Sequence, residues 1–120
     1  MLESLARALR ETPFSAVVQH QRVDVVPLKG GEEKHVYQAR VLQGIRGPKL
    51  QKLTYFLVAE KGEEATLTKE PVILTLCKNE QGYYWPGVGA EFPKTASTLA
   101  VVDAVKPDLR SDQTAFPDCE

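Results

Sequence analysis

Side chains that carry chemistry are scarce in this chain of 120 residues, which has two cysteines and two histidines. Cys77 and Cys119 stand far apart, and neither has the close partner that a zinc site requires. His20 and His35 have no third ligand at metal-binding spacing, so no metal is expected, and each reads as a surface or sheet-edge residue. No G-x-S-x-G elbow is present, and no glycine-rich phosphate loop precedes a helix. Gly87-Val88-Gly89 lacks the third glycine and the βαβ setting of a dinucleotide site. The paired acids Glu32-Glu33 and Glu63-Glu64 fall in polar loops, where water leaves carboxylates solvated. These absences argue against an enzyme and against a bound cofactor.

An excess of charge of one sign is missing as well. The formal net charge is −1, which gives no general attraction to nucleic acid or to an anionic membrane surface. No apolar run approaches the roughly 20 residues of a membrane-spanning helix. The opening segment lacks the continuous apolar stretch of a secretion signal. Two readings of the compartment stay open: a cytoplasmic chain by default, or a periplasmic or secreted one whose signal has been removed. The cysteines leave a matching pair of alternatives. Cys77, inside the apolar run 72–77, reads first as a buried, inert thiol. A disulfide to Cys119 would instead close a loop of about 40 residues and favour an oxidising compartment.

What is present is a succession of β-type segments. The hydrophobic fraction of 42% and charged fraction of 26% suit one folded domain rather than a disordered chain. Residues 1–12 form an amphipathic helix with Leu2, Leu5, Ala6 and Leu9 on one side, stopped at Thr12 by Pro13. Residues 14–92 carry five strands. The first, 14–26, places Phe14, Ala16 and Val18 on one face but Val23 and Val25 at the opposite parity, so a bulge or sharp coil is expected near residues 19–22. After the Gly30-Gly31 turn, the second strand, 34–43, aligns His35, Tyr37, Ala39 and Val41. The third, 50–60, puts Leu53, Tyr55, Leu57 and Ala59 on one face. The fourth, 72–78, is apolar and β-branched, as a central strand is. The fifth is short, 83–85, and an irregular glycine-rich loop follows it. With no helix between the strands, antiparallel pairing is expected throughout. Thr95 is a candidate N-cap for a helix over 95–106, ended by Pro107. Residues 108–120 form an acidic tail expected to fray.

This order predicts a mainly β, five-stranded antiparallel barrel with a helix near each terminus. It resembles the oligonucleotide/oligosaccharide-binding (OB) fold. More narrowly, residues 16–86 are similar to the netrin-like domains of the metalloproteinase-inhibitor type, through Ala16-Val17-Val18 in the first strand, the turn Arg46-Gly47-Pro48, and the apolar fourth strand. The resemblance implies a fold. The inhibitors of that group act through an N-terminal cysteine that chelates zinc, and this chain has no cysteine before Cys77. Their activity is therefore not implied.

The expected role is a non-catalytic binding module for a protein partner. Its candidate surface is the aromatic run Tyr83, Tyr84 and Trp85 with the loop residues Val88 and Phe92, because tyrosine and tryptophan combine apolar area with a polar tip. The competing reading is that Trp85 plugs one end of the barrel and Phe92 closes over it. A second function class is a single-stranded nucleic-acid binder using Arg40, Arg46, Lys49 and Lys52, disfavoured because Tyr37 and Tyr55 lie on the core parity and the net charge is slightly acidic. A third is a small inhibitor-like secreted or periplasmic protein.

Overall fold

The computed structural model describes residues 1–87 and 90–120. Helix α1 (Leu2–Glu11) ends where Thr12 turns extended ahead of Pro13, and the Thr12 hydroxyl donates to the Ala8 carbonyl at 2.7 Å. The strands are β1 (Phe14–Pro27), β2 (Glu32–Arg46), β3 (Lys52–Glu60), β4 (Val72–Asn79), β5 (Gly82–Tyr84) and β6 (Glu91–Pro93). Helix α2 (Ala96–Val105) follows, started by Thr95 and Thr98 in a reciprocal capping box. Short 3₁₀ turns cover Lys106–Asp108 and Pro117–Cys119. Strand accounts for 44% of the chain and helix for 22%, so the fold is mainly β with a helix near each end.

Five strands form a ring-shaped sheet in the order β1-β2-β3-β5-β4, with β4 returning to β1. The ring closes because β1 is long enough to serve two neighbours. Its first residues, Phe14 to Val18, pair with β4, while the strand pairs with β2 over nearly its whole length. The change of face expected near residues 19–22 is a register shift. His20 opposes Ala39 and Arg22 opposes Gln38, which leaves Gln21 as the extra residue. The shift returns Val23 and Val25 to the inner face of the ring.

Three expectations about the sheet and its surroundings are corrected. Not every pairing is antiparallel, since β5 runs parallel to β3 through Tyr55–Tyr83 and Phe56–Tyr84. The connection 61–71 and the whole of β4 lie between those strands and supply the crossover that a parallel pair needs. A sixth strand, β6, pairs with β4 where only loop was expected. The C-terminal tail is anchored rather than frayed. Cys119 is disulfide-bonded to Cys77, so Cys77 is no free thiol. Arg46 donates to the Arg110 carbonyl at 2.9 Å and to Gln113 Oε1 at 2.7 Å.

Two apolar cores result. One fills the ring with Phe14, Ala16, Val18, Ala39, Leu53, Leu74 and Leu76. The other lies outside it, where Val17 and Ile73 meet Leu5 and Leu9 of α1 and Val102 and Val105 of α2. β4 is buried on both faces because it separates these cores, which is why its sequence runs apolar without alternation. Gly47, at φ +96°, lets the turn after β2 pass close to β1. A Cβ there would sit 2.9 Å from the Phe14 ring.

Candidate functional site

Beyond the β1 bulge the ring loses its second layer of pairing. β1 continues against β2 alone, and the connection 61–71 crosses the gap, held in part by Gln19 Nε2 donating to the Lys69 carbonyl at 3.2 Å. Under that crossing lies a cavity of about 240 Å³. Its inner wall is built by alternation along β2 and β3, which sends His35 and Tyr37, with Tyr55 and Leu57, to the interior. Trp85, immediately after β5, and Glu91 of β6 complete the wall, and Glu63, Glu64, Thr66 and Thr68 form the rim.

Tyr37 and Tyr55 are directly paired across the strands, and their rings stack at 5.1 Å between centroids, 9° from parallel. His20 lies edge-on to both, at 5.6 and 5.8 Å. His20 Nε2 and the Tyr55 hydroxyl are 2.6 Å apart. Burial pushes the His20 imidazole below its ordinary pKa against a smaller opposing effect of the Thr68 backbone, so the ring is neutral. Burial, then the nearby Glu91 carboxylate, then Tyr37 hold the Tyr55 phenol far above its usual range. A protonated phenol and a neutral imidazole share this hydrogen bond, and the histidine tautomer sets which of the two donates. Among the described residues, His20 Nδ1 has no partner at good hydrogen-bond geometry.

His35 is 2% exposed and Nε2 has no hydrogen-bond partner among the described residues. The nearest carboxylate oxygen, Glu33 Oε1, is 3.8 Å away, too far for a hydrogen bond, and accepts from the Gly62 N–H at 3.1 Å. A buried polar atom left without a partner costs about 1–3 kcal/mol. Glu91 keeps an exposed surface, yet crowding by the cavity walls raises its carboxyl pKa through desolvation. Tyr37 is raised too, by burial first and by Glu91 second.

The site expected from the aromatic run is only partly assembled. Tyr83 packs on Phe14 at 4.7 Å, with the Lys78 ammonium 5.2 Å from its ring. Tyr84 tilts against Phe56, and its hydroxyl donates to the Cys119 carbonyl at 3.4 Å. Phe92 is buried in the helix-side core, so it neither joins a recognition surface nor closes over Trp85. Val88 lies outside the described residues. Among the described residues of the set, Trp85 alone reaches the cavity. Exposed apolar area lies instead at the far end of the ring, on Val25, Val26, Leu28 and Val58.

The basic set also divides. Arg40 and Lys52 oppose each other on the outer face and Lys49 is exposed in the following turn. Arg46 is withdrawn from that surface. Besides the tail, it donates to the Leu9 and Arg10 carbonyls at the end of α1, each at 3.3 Å, and its guanidinium lies 5.1 Å from the Phe116 ring. Phe56, with the Lys34 ammonium 4.2 Å from its ring, is the aromatic on this outer face.

The histidines were expected at the surface or sheet edge, yet both are buried. The signal for His35 was its shared parity with Tyr37, Ala39 and Val41. That parity correctly points inward, and the general habit of histidine to stay exposed outweighed it. The two rings do not face each other across the strands, since His20 opposes Ala39 and His35 opposes Val25. Among the described residues, no three His, Cys, Asp or Glu side chains are grouped to hold a metal ion. No helix is long and apolar enough to cross a membrane. Comparison of the chain with protein-family models, with curated proteins and with solved structures gave no match.

Proposed function

We propose that this protein is a non-catalytic binding module whose recognition site is the cavity under the 61–71 crossing, with Trp85 as its aromatic wall. The observation that carries this reading is the cavity itself, walled by the stacked Tyr37 and Tyr55, by Leu57 and by Trp85, with Glu91 beside them. The lining mixes aromatic and aliphatic side chains with several convergent polar ones, and ligand sites combine the same two kinds of group. The cavity is small, so it takes a head group rather than a large ligand, either free or carried by a protein partner. The disulfide between Cys77 and Cys119 supports a periplasmic or secreted setting.

Trp85 is the only tryptophan, so its emission reports on this wall alone. The test is a panel of small neutral, cationic and anionic fragments, read by Trp85 fluorescence and by amide shifts. At least one class is expected to move residues 35, 37, 55, 57, 85 and 91 together. Silence from every class at millimolar concentration overturns the reading.

A second reading, single-stranded nucleic-acid binding on the outer face, rests on Arg40 and Lys52 sharing that face of β2 and β3 with the Lys34–Phe56 pair. It is weakened by the engagement of Arg46 elsewhere. Titration with a short mixed-sequence oligonucleotide at low salt separates the two. Shifts at residues 34, 40, 52 and 56 would favour it over the cavity.

A further inference from the structure

We infer that the outer edge of β1, at residues 21–25, is an interface between two copies of this chain, which pair antiparallel about a two-fold axis at Val23. The inference goes beyond the proposed ligand site and does not depend on it, since no β1 residue lines the cavity.

The backbone hydrogen bonds fix which groups this edge offers. Lys61 N–H donates to the Gly31 carbonyl, which assigns the odd residues of β2 to β3 and its even residues to β1. Leu28 N–H donates to the Glu32 carbonyl, in the same phase. By the β1–β2 register, Arg22, Asp24 and Val26 therefore turn their main-chain groups towards β2. Val23 and Val25 turn theirs the other way. The pairing with β4 reaches only to Val18, and no backbone partner for Val23 or Val25 is present on that side among the described residues. Pro27, next in the series, has no N–H and so limits how far another strand can extend. An edge with free donors and acceptors is a template for a further strand.

A bare edge is by itself only a hydrated surface. Here its side chains match a second copy of themselves. Arg22 and Asp24 share the outer face, with the guanidinium 3.0 Å from the carboxylate. Antiparallel pairing about Val23 sets Arg22 of each copy opposite Asp24 of the other, so four charges alternate in sign around the axis. An axis one residue further on would oppose Asp24 to itself. On the inner face Val23 meets its own copy. Val25 and Val26, 46% and 44% exposed, lie beyond it, and pairing draws apolar area of this edge out of water. The contact ends near Gln21, where the bulge and the 61–71 crossing, tied by Gln19 to the Lys69 carbonyl, take over the edge. Such a contact uses the same patch on both copies, so it closes at two and builds no fibre.

The experiment uses the whole oxidised chain, in sedimentation velocity from about 10 µM to about 1 mM at low salt. A monomer–dimer equilibrium is expected in this range, with the Val23 and Val25 amides exchanging more slowly as concentration rises. Arg22→Glu alone and Asp24→Lys alone each replace two attractive contacts with two repulsive ones, and each is expected to weaken self-association about tenfold or more. An equimolar mixture of the two variants restores opposite charges at both contacts and is expected to form a heterodimer. Where a variant also shifts its own urea midpoint, the mixture still decides, because it differs from its components only across the interface. A chain that stays monomeric throughout the range overturns the inference and leaves the edge to a strand of another protein. A dimer that neither variant weakens, or losses that the mixture does not reverse, overturns it as well.

Discussion

The two halves of β1 do different work. From Phe14 to Val18 the strand is bonded on both edges, to β2 and to β4, and its inner face meets only apolar side chains. From Arg22 onward it is bonded to β2 alone, and its inner face looks across at His35, Tyr37 and Tyr55. One inserted residue, Gln21, divides them. The doubly paired half can be packed tightly because both of its edges are paired and the interior is closed. The singly paired half leaves one edge to be covered by a loop, and that gap is where a ligand can enter. On the proposed reading, stability and recognition fall to opposite ends of one strand.

The comparison is tested most severely in the closed half. Leu74 is fully buried between Ala16 and its neighbours, and Leu74→Ala is expected to cost roughly 2–5 kcal/mol in urea unfolding, with the slope of the transition unchanged. Reducing the disulfide, which joins β4 to a tail 42 residues on, is expected to cost about 2–4 kcal/mol by the same measurement. If either loss were small, the closed half would not be the stable one.

In the open half the effects are smaller. Tyr55→Phe removes the hydrogen-bond partner of His20 Nε2 while keeping the stack on Tyr37, with an expected loss of about 1–3 kcal/mol. His20 gives a pH signature. Its pKa is lower folded than unfolded, so below the ordinary histidine value of about 6.5 the unfolded chain binds more protons and stability falls as pH is lowered. Unfolding midpoints measured from pH 7.5 to 5.5 should decline, and His20→Gln should flatten the slope. Glu91 acts in the opposite sense and at lower pH. Its carboxyl is raised, so acidification through the ordinary carboxylate range favours the folded chain. The smallest effect belongs to the outer face. Arg40→Ala with Lys52→Ala should change stability by less than about 0.5 kcal/mol per site, since both side chains are exposed.

Local signals carried much of the fold. Thr12-Pro13 ends α1, Thr95 starts α2, and the parity change between Val18 and Val23 marks the bulge. Each is decided by backbone sterics or side-chain alternation within a few residues. What escaped depends on distant partners. Arg46 looks like any basic residue at the end of a strand, and its acceptors are 36 to 67 positions away in α1 and the tail. The parallel pairing of β5 requires β4 to be placed first. In the candidate site, Trp85 was visible as an aromatic anchor, and the inward parity of Tyr37 and Tyr55 was legible. Glu91 and the 61–71 rim were not, because only the closed ring brings them over β2 and β3.

The anchoring of both chain ends has a consequence for how the protein is made. The last turn of α1 is fastened by Arg46 to Gln113, and Gln113 Nε2 donates in turn to the Arg10 carbonyl. In synthesis the segment 110–119 follows α1, so the helix is left without these partners until that segment is in place. The same segment carries Cys119 to Cys77.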